Sequence, residues 1–159
     1  MNIINGGVTA AKGFEAASAA AGIKYQGRTD MALVYSQKPC EAAGTFTTNV
    51  VKAAPVKWDK KVVESSVKPQ VIVINSGIAN ACTGEAGMEC CKEVAKEVAK
   101  VLETETESVL IGSTGVIGMQ LPVEKMKAGV HLLAEEKAAG QEMGNLAAKA
   151  IMTTDTKEK

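Results

Sequence analysis

The chain has 159 residues, and its 18 Lys plus Arg balance 18 Asp plus Glu to a formal net charge of zero, which argues against a nucleic-acid binder and gives no long-range pull toward anionic lipid. Hydrophobic residues at 46% and charged residues at 23% are the proportions of a folded domain, not of a disordered chain. The apolar runs are too short to span a membrane, and the N-terminus MNIINGGVTAAKG lacks the basic-then-apolar order of a secretory signal, so the expectation is a single cytoplasmic domain over 1–159.

The first thirty residues are Gly- and Ala-rich and carry no clear element. Met31–Ser36 is a short apolar run, read as a buried strand. Lys38-Pro39-Cys40-Glu41 turns the chain, and the β-branched, aromatic Gly44–Thr48 is read as its hairpin partner. Residues 55–66 are read as a helix. Gln70–Ile74, apolar from Val71 on, has the pattern of a strand buried on both faces. Residues 85–102 place Met88, Cys91, Val94, Ala95, Val98, Val101 and Leu102 on one helical face. Glu93 with Lys96 and Glu97 with Lys100 support the other face, and Thr83 is a suitable N-cap. Ser108–Ile111 is another buried strand. Pro122 fits the first position of the next helix, whose apolar face is Val123, Met126, Val130 and Leu133. Residues 140–151 form an Ala-rich helix ending at Thr153–Thr156, and Lys157-Glu158-Lys159 is a solvated tail. The pattern is an N-terminal β region followed by alternating strands and helices, an α/β class.

One histidine cannot serve both a triad and a metal site, and His131 reads as a helix-surface residue. Cys40, Cys82, Cys90 and Cys91 contain no C-x-x-C, so a zinc site is not expected; free thiols and small buried hydrophobes are. Three segments could carry chemistry. Asn75–Gly84 lies between a strand and a helix, where α/β folds place ligands; from residue types alone it reads more readily as a turn with local Asn bonds. Gly112-Ser113-Thr114-Gly115-Val116-Ile117-Gly118 is a strand-exit segment that is neither G-x-G-x-x-G nor a phosphate loop. A threonine hydroxyl and the next glycine N–H could stabilise an oxyanion, or the glycines could only relieve a tight loop. Met152-Thr153-Thr154-Asp155-Thr156 could bind a polar ligand or simply end a helix.

Together with Arg28-Thr29-Asp30-Met31-Ala32-Leu33-Val34 and Ala42–Val56, these segments resemble, in order and over essentially the whole chain, the α part of the bifunctional ornithine acetyltransferase/N-acetylglutamate synthase family of arginine biosynthesis. The resemblance implies a precursor that cleaves itself into α and β chains. The N-terminal threonine of β takes acetyl from N-acetylornithine and passes it to glutamate. Its own α-amino group can act as base, so no histidine is needed. Carried over, Thr114 and Gly115 form the oxyanion hole and Thr153 contacts substrate, with Thr154 the neighbouring possibility. Asn75, Ser76 and Gly77 belong to a site loop. The resemblance implies no cofactor, leaves acetyl-CoA open as a second donor, and implies a β-chain partner in an α2β2 heterotetramer.

Two departures stand out. Ile78 occupies a position where the family more usually has Asn. The family α chain also continues past the M-T-T-D-T segment to a Lys-Gly motif and the cleavage point, which this sequence does not contain. The nucleophile is therefore expected on another chain. A non-catalytic small-molecule-binding subunit and an assembly subunit are the alternatives.

Overall fold

Four strands form one sheet in the computed structural model, which describes residues 6–158: β1 (Phe14–Ala19), β2 (Met31–Ser36), β3 (Val71–Ile78) and β4 (Val109–Val116), in that spatial order. β1–β2 and β2–β3 pair antiparallel, and β3–β4 pair parallel from Val71↔Val109 to Ile78↔Val116. Four helices accompany them: α1 (Ala54–Val63), α2 (Gly84–Leu102), α3 (Val123–Glu136) and α4 (Gln141–Ala150). A parallel pair needs a crossover, and α2 supplies it. The α/β class read from the sequence is the one observed.

Side chains alternate across each strand. Ala17, Met31, Leu33, Val71, Val73, Val109 and Ile111 face the main core with Trp58, Val94, Val98, Met126, Val130 and Leu133 from α1, α2 and α3. Ala16 and Ala32 face the other side and pack on Ala147 and Ala150 of α4. The sheet is thus fully covered on one face and partly on the other.

Several readings change. β1 exists where no element was expected; its Phe-Glu-Ala-Ala-Ser-Ala sequence carries little β-propensity, and pairing with β2 decides it. Gly44–Thr48 is not a strand: these residues are exposed or half-buried and irregular, and β2 takes β1 and β3 as partners instead. The strand at 70–74 is not buried on both faces, since Ile72 is 37% exposed where α4 does not reach. Thr83 stands at the N-cap of α2 but makes no cap bond, because its hydroxyl donates to Asn80 Oδ1 at 2.6 Å. Pro122 sits one position earlier than expected, at the cap of α3. Within the expected N-terminal coil, residues 1–5 lie outside the described residues, as does Lys159 of the tail.

Other readings hold. Glu93–Lys96 and Glu97–Lys100 pair at 3.0 and 3.4 Å. His131 is a helix-surface residue whose Nε2 lies 2.9 Å from Glu97 Oε1, a contact that holds the Glu97 carboxyl below its usual range. Cys90 and Cys91 are buried hydrophobes, and burial pushes their thiols up to about 11 and about 12.

β4 is an edge strand, and α1 caps that edge with side chains. Trp58 Nε1 donates to Val109 O at 2.8 Å, and Asp59 Oδ1 accepts the Ile111 N–H at 2.8 Å. Burial raises the Asp59 carboxyl to about 6, partly offset by that N–H. A folded-state value above the ordinary one means that the folded protein holds the proton more tightly. Stability from this group is therefore present below its usual range and lost as pH rises through about 6. Asp59→Asn keeps an acceptor and removes the buried charge. It should melt higher than wild type at pH 7 and lose that advantage at pH 4. Asp59→Ala leaves the Ile111 N–H unpaired and should be less stable than Asp59→Asn by about 1–3 kcal/mol. Thermal melts of the three proteins across pH 4–8 check this.

Candidate active site

The site is built at the C-terminal ends of β3 and β4. Asn75, Ser76 and Gly77, expected in a loop, are strand residues that continue β3 beyond its apolar run. They stay extended because their polar groups are satisfied. Asn75, fully buried, donates from Nδ2 to Ile78 O at 2.9 Å and accepts the Ser113 hydroxyl at 2.7 Å. The Ser76 hydroxyl donates to Ala150 O at 2.7 Å, and the Ser76 N–H donates to Asp30 O at 2.8 Å. Ile78 is buried in the main core, so an apolar residue suits that position.

Ser113 to Val116 likewise lie in β4 and not in an exit loop. The register pairs Ser76 with Thr114 and Gly77 with Gly115. By the two-residue period, Ser113 joins Asn75 on the core face, while Thr114 shares the α4 face with Ser76. Thr114 is half-buried, and its hydroxyl makes no hydrogen bond with the described residues. Gly115 to Gln120 are exposed, so Thr114 and Gly115 stand on an open rim.

Gly77 and Gly115 both have positive φ, 103° and 133°. A Cβ on Gly115 would lie 2.3 Å from the Gly77 carbonyl carbon and 2.7 Å from the Ile78 nitrogen. Only glycine permits this approach of two backbones.

The M-T-T-D-T segment follows α4 on the same face. Ser76 holds its approach at Ala150 O, and the Arg28 guanidinium donates to Met152 O. Thr153 is half-buried, with its N–H donated to Asp155 Oδ2 at 3.1 Å; Thr154 is exposed. The first two expected segments are thus paired strand ends, and the third begins two residues beyond the carbonyl that Ser76 holds. A cavity of about 360 Å³ lies on this face, lined in part by Val34, Ile74, Asn145 and Ile151. Among the described residues no group of three or more His, Cys, Asp or Glu could hold a metal ion, and no helix is long and apolar enough to cross a membrane.

Arg28 and Asp30 enter the sequence reading only within a family-matching stretch, and Asn80 only within a loop, none with a role of its own, yet each organises the rim. Asp30 accepts the Ala21 and Ile23 N–H groups at 2.8 and 2.6 Å, fixing the β1–β2 connection from which Arg28 projects. Asn80 donates to Gly87 O at 2.9 Å and ties the end of β3 to α2. An Arg and an Asp just before a buried strand were the available signal for the first two.

Comparison with solved structures defines the class: this is the fold of ornithine acetyltransferases. The ornithine acetyltransferase of Mycobacterium tuberculosis, solved with ornithine, superposes with a TM-score of 0.90 at 46% identity, over 95% of this chain and 81% of that one. The arginine biosynthesis bifunctional protein of Bacillus halodurans matches with the same TM-score at 36% identity, over 97% of this chain and 79% of that one. In sequence, the arginine biosynthesis bifunctional proteins ArgJ of Caldanaerobacter subterraneus and Gloeobacter violaceus are 51% and 49% identical over 98% and 96% of this chain. The chain belongs to the ArgJ family, which it matches over residues 15–159. It spans 38% and 37% of the length of those two relatives.

The glycine contact yields a test. Gly115→Ala adds a methyl at a positive φ and against backbone that cannot swing away. It should destabilise the protein by roughly 1–3 kcal/mol or more, read as a lower denaturation midpoint. Gly118→Ala, with a positive φ but open space around it, should cost less.

Proposed function

We propose that this chain is the α part of a glutamate N-acetyltransferase of arginine biosynthesis. The enzyme transfers acetyl from N-acetylornithine to glutamate through an acetyl-threonine on a β chain; assaying the complete protein with acetyl-CoA decides whether that is a second donor. The observation that carries the reading is the Ser76–Ala150 bond. That bond holds Ala150, two residues before Met152, to the strand neighbour of Thr114, which supports a shared role for the two segments. The family membership and the ornithine-bound neighbour support it further.

In this reading the roles follow from chemistry. The β-chain threonine hydroxyl attacks the acetyl carbonyl, and its α-amino group takes the proton. Negative charge grows on the carbonyl oxygen. The Thr114 hydroxyl and the Gly115 N–H receive that charge as donors already in place. The tetrahedral intermediate collapses, ornithine leaves, and glutamate then attacks the acetyl-threonine by the same steps. Thr153 contacts the amino-acid substrate, with Thr154 beside it. Asn75, Ser76 and Gly77 support the strand end instead of forming a loop around the ligand. The working unit is an α2β2 heterotetramer in the cytoplasm, and residues 1–159 form a single domain of its α chain. The buried, proton-bearing thiols of Cys90 and Cys91 have no part in the reaction.

In the complete protein, Thr114→Ala should lower turnover on the order of 100- to 1000-fold, with a much smaller change in KM. Cys90→Ala should change stability more than turnover. Steady-state acetyl transfer from N-acetylornithine to glutamate checks both. Wild-type turnover in Thr114→Ala would remove that residue from the role.

A further inference from the structure

We propose that Arg28 is a positioning residue for the substrate-contacting segment. From the connection between β1 and β2, it holds Met152–Thr154 over the end of β3 through the Met152 carbonyl. The proposal rests on the assignment of that segment to substrate binding, and it adds a residue to which that assignment gives no role.

The argument starts from the end of α4. A helix leaves its last carbonyls without intrahelical partners. Lys149 O is used by the Ile151 and Met152 N–H groups. Ala150 O is taken by the buried Ser76 hydroxyl, and Met152 O by Arg28. Beyond Met152 no backbone–backbone bond joins the segment to the rest of the described chain; Thr153 N–H turns back to Asp155. Two side-chain tethers from distant parts of the sequence therefore hold the chain immediately before Thr153.

The two tethers differ in kind. Ser76 is buried in β3 and holds the helix end. Arg28 is half-buried and holds the carbonyl immediately before Thr153. A charged donor makes a bond about twice as strong as a neutral one. The base of Arg28 is itself rigid: Asp30, two residues on, takes two N–H groups of the connection and gives its own carbonyl to Ser76. Arg28-Thr29-Asp30 is thus one joint linking the β1–β2 connection, the end of β3 and the M-T-T-D segment. A small displacement of a substrate-positioning group is enough to weaken productive binding.

Arg28→Ala, Arg28→Lys and wild type are compared in the complete protein by hydrogen exchange and by kinetics. In Arg28→Ala, amide exchange at 151–155 should rise about tenfold while β3 and β4 stay protected. KM for N-acetylornithine should also rise about tenfold, the loss expected for one charge-assisted bond. The turnover number should change far less than in Thr114→Ala. Arg28→Lys keeps a charged donor and should recover part of both effects. Unchanged exchange at 151–155 in Arg28→Ala would overturn the tether. Raised exchange with an unchanged KM would overturn the positioning role. Absence of acetyl transfer in the wild type would instead overturn the proposed reaction, and exchange would still decide the tether.

Discussion

The candidate site depends on the parallel pairing of β3 with β4. That pairing brings Ser76 beside Thr114 and Gly77 against Gly115. The buried Asn75–Ser113 bond fixes it from the core face, where a polar pair out of register would lose both partners. The glycines fix it from within, because their backbones approach more closely than any Cβ allows. A one-residue slip would turn Thr114 into the core and Ser113 to the α4 face. The same slip would part Asn75 from Ser113 and turn Ile111 out of the core. Register at this pair is therefore specified by packing and by hydrogen bonding together.

Edge strands need protection, and the fold provides it unequally. Along the first half of β4, α1 supplies an indole N–H and a carboxylate in place of a neighbouring strand. The carboxylate is held there at a cost, as its raised pKa records. Along the second half no such cap is present among the described residues, and Gly115 to Gln120 are exposed. An unprotected edge is ordinarily a liability. Here it is the stretch that carries Thr114 and Gly115, so openness and candidate chemistry coincide.

The helices were legible because their apolar period is strong: Met88 to Leu102 reads as one face, and α2 buries that face. The parallel strands were legible from their Val and Ile runs, but only as far as those runs go. Asn75-Ser76-Gly77 and Ser113-Thr114-Gly115 have the composition of loops. They stay in strands because tertiary partners satisfy them, and local sequence does not encode those partners. β1 was hidden for the opposite reason: alanines suit a strand that packs closely against α3 and α4 and carry no β signal. Gly44–Thr48 misled through its β-branched composition, since β1 already occupies the free edge of β2. For the site, the three segments were recognisable singly as ambiguous stretches. Their meeting point required the Ser76 and Arg28 bonds, which join residues 74 and 124 positions apart.

Face coverage gives the last constraint. The α4 layer is small: four alanines form its buried contact, and Ile72, Val34 and Leu110 remain partly exposed beside it. Alanine at these positions lets α4 lie close to β1 and β2, which brings Ala150 within reach of Ser76. Larger residues there would cover more of the sheet but lift the helix away and break that bond. The segment after α4 leaves the helix there: Ile151 stands at the C-cap, and Met152 O accepts from Arg28. Close helix packing on β1 and β2 thus sets where the end of α4 meets Ser76 on β3. In this chain the approach to a candidate binding residue follows from the size of alanines on β1, β2 and α4.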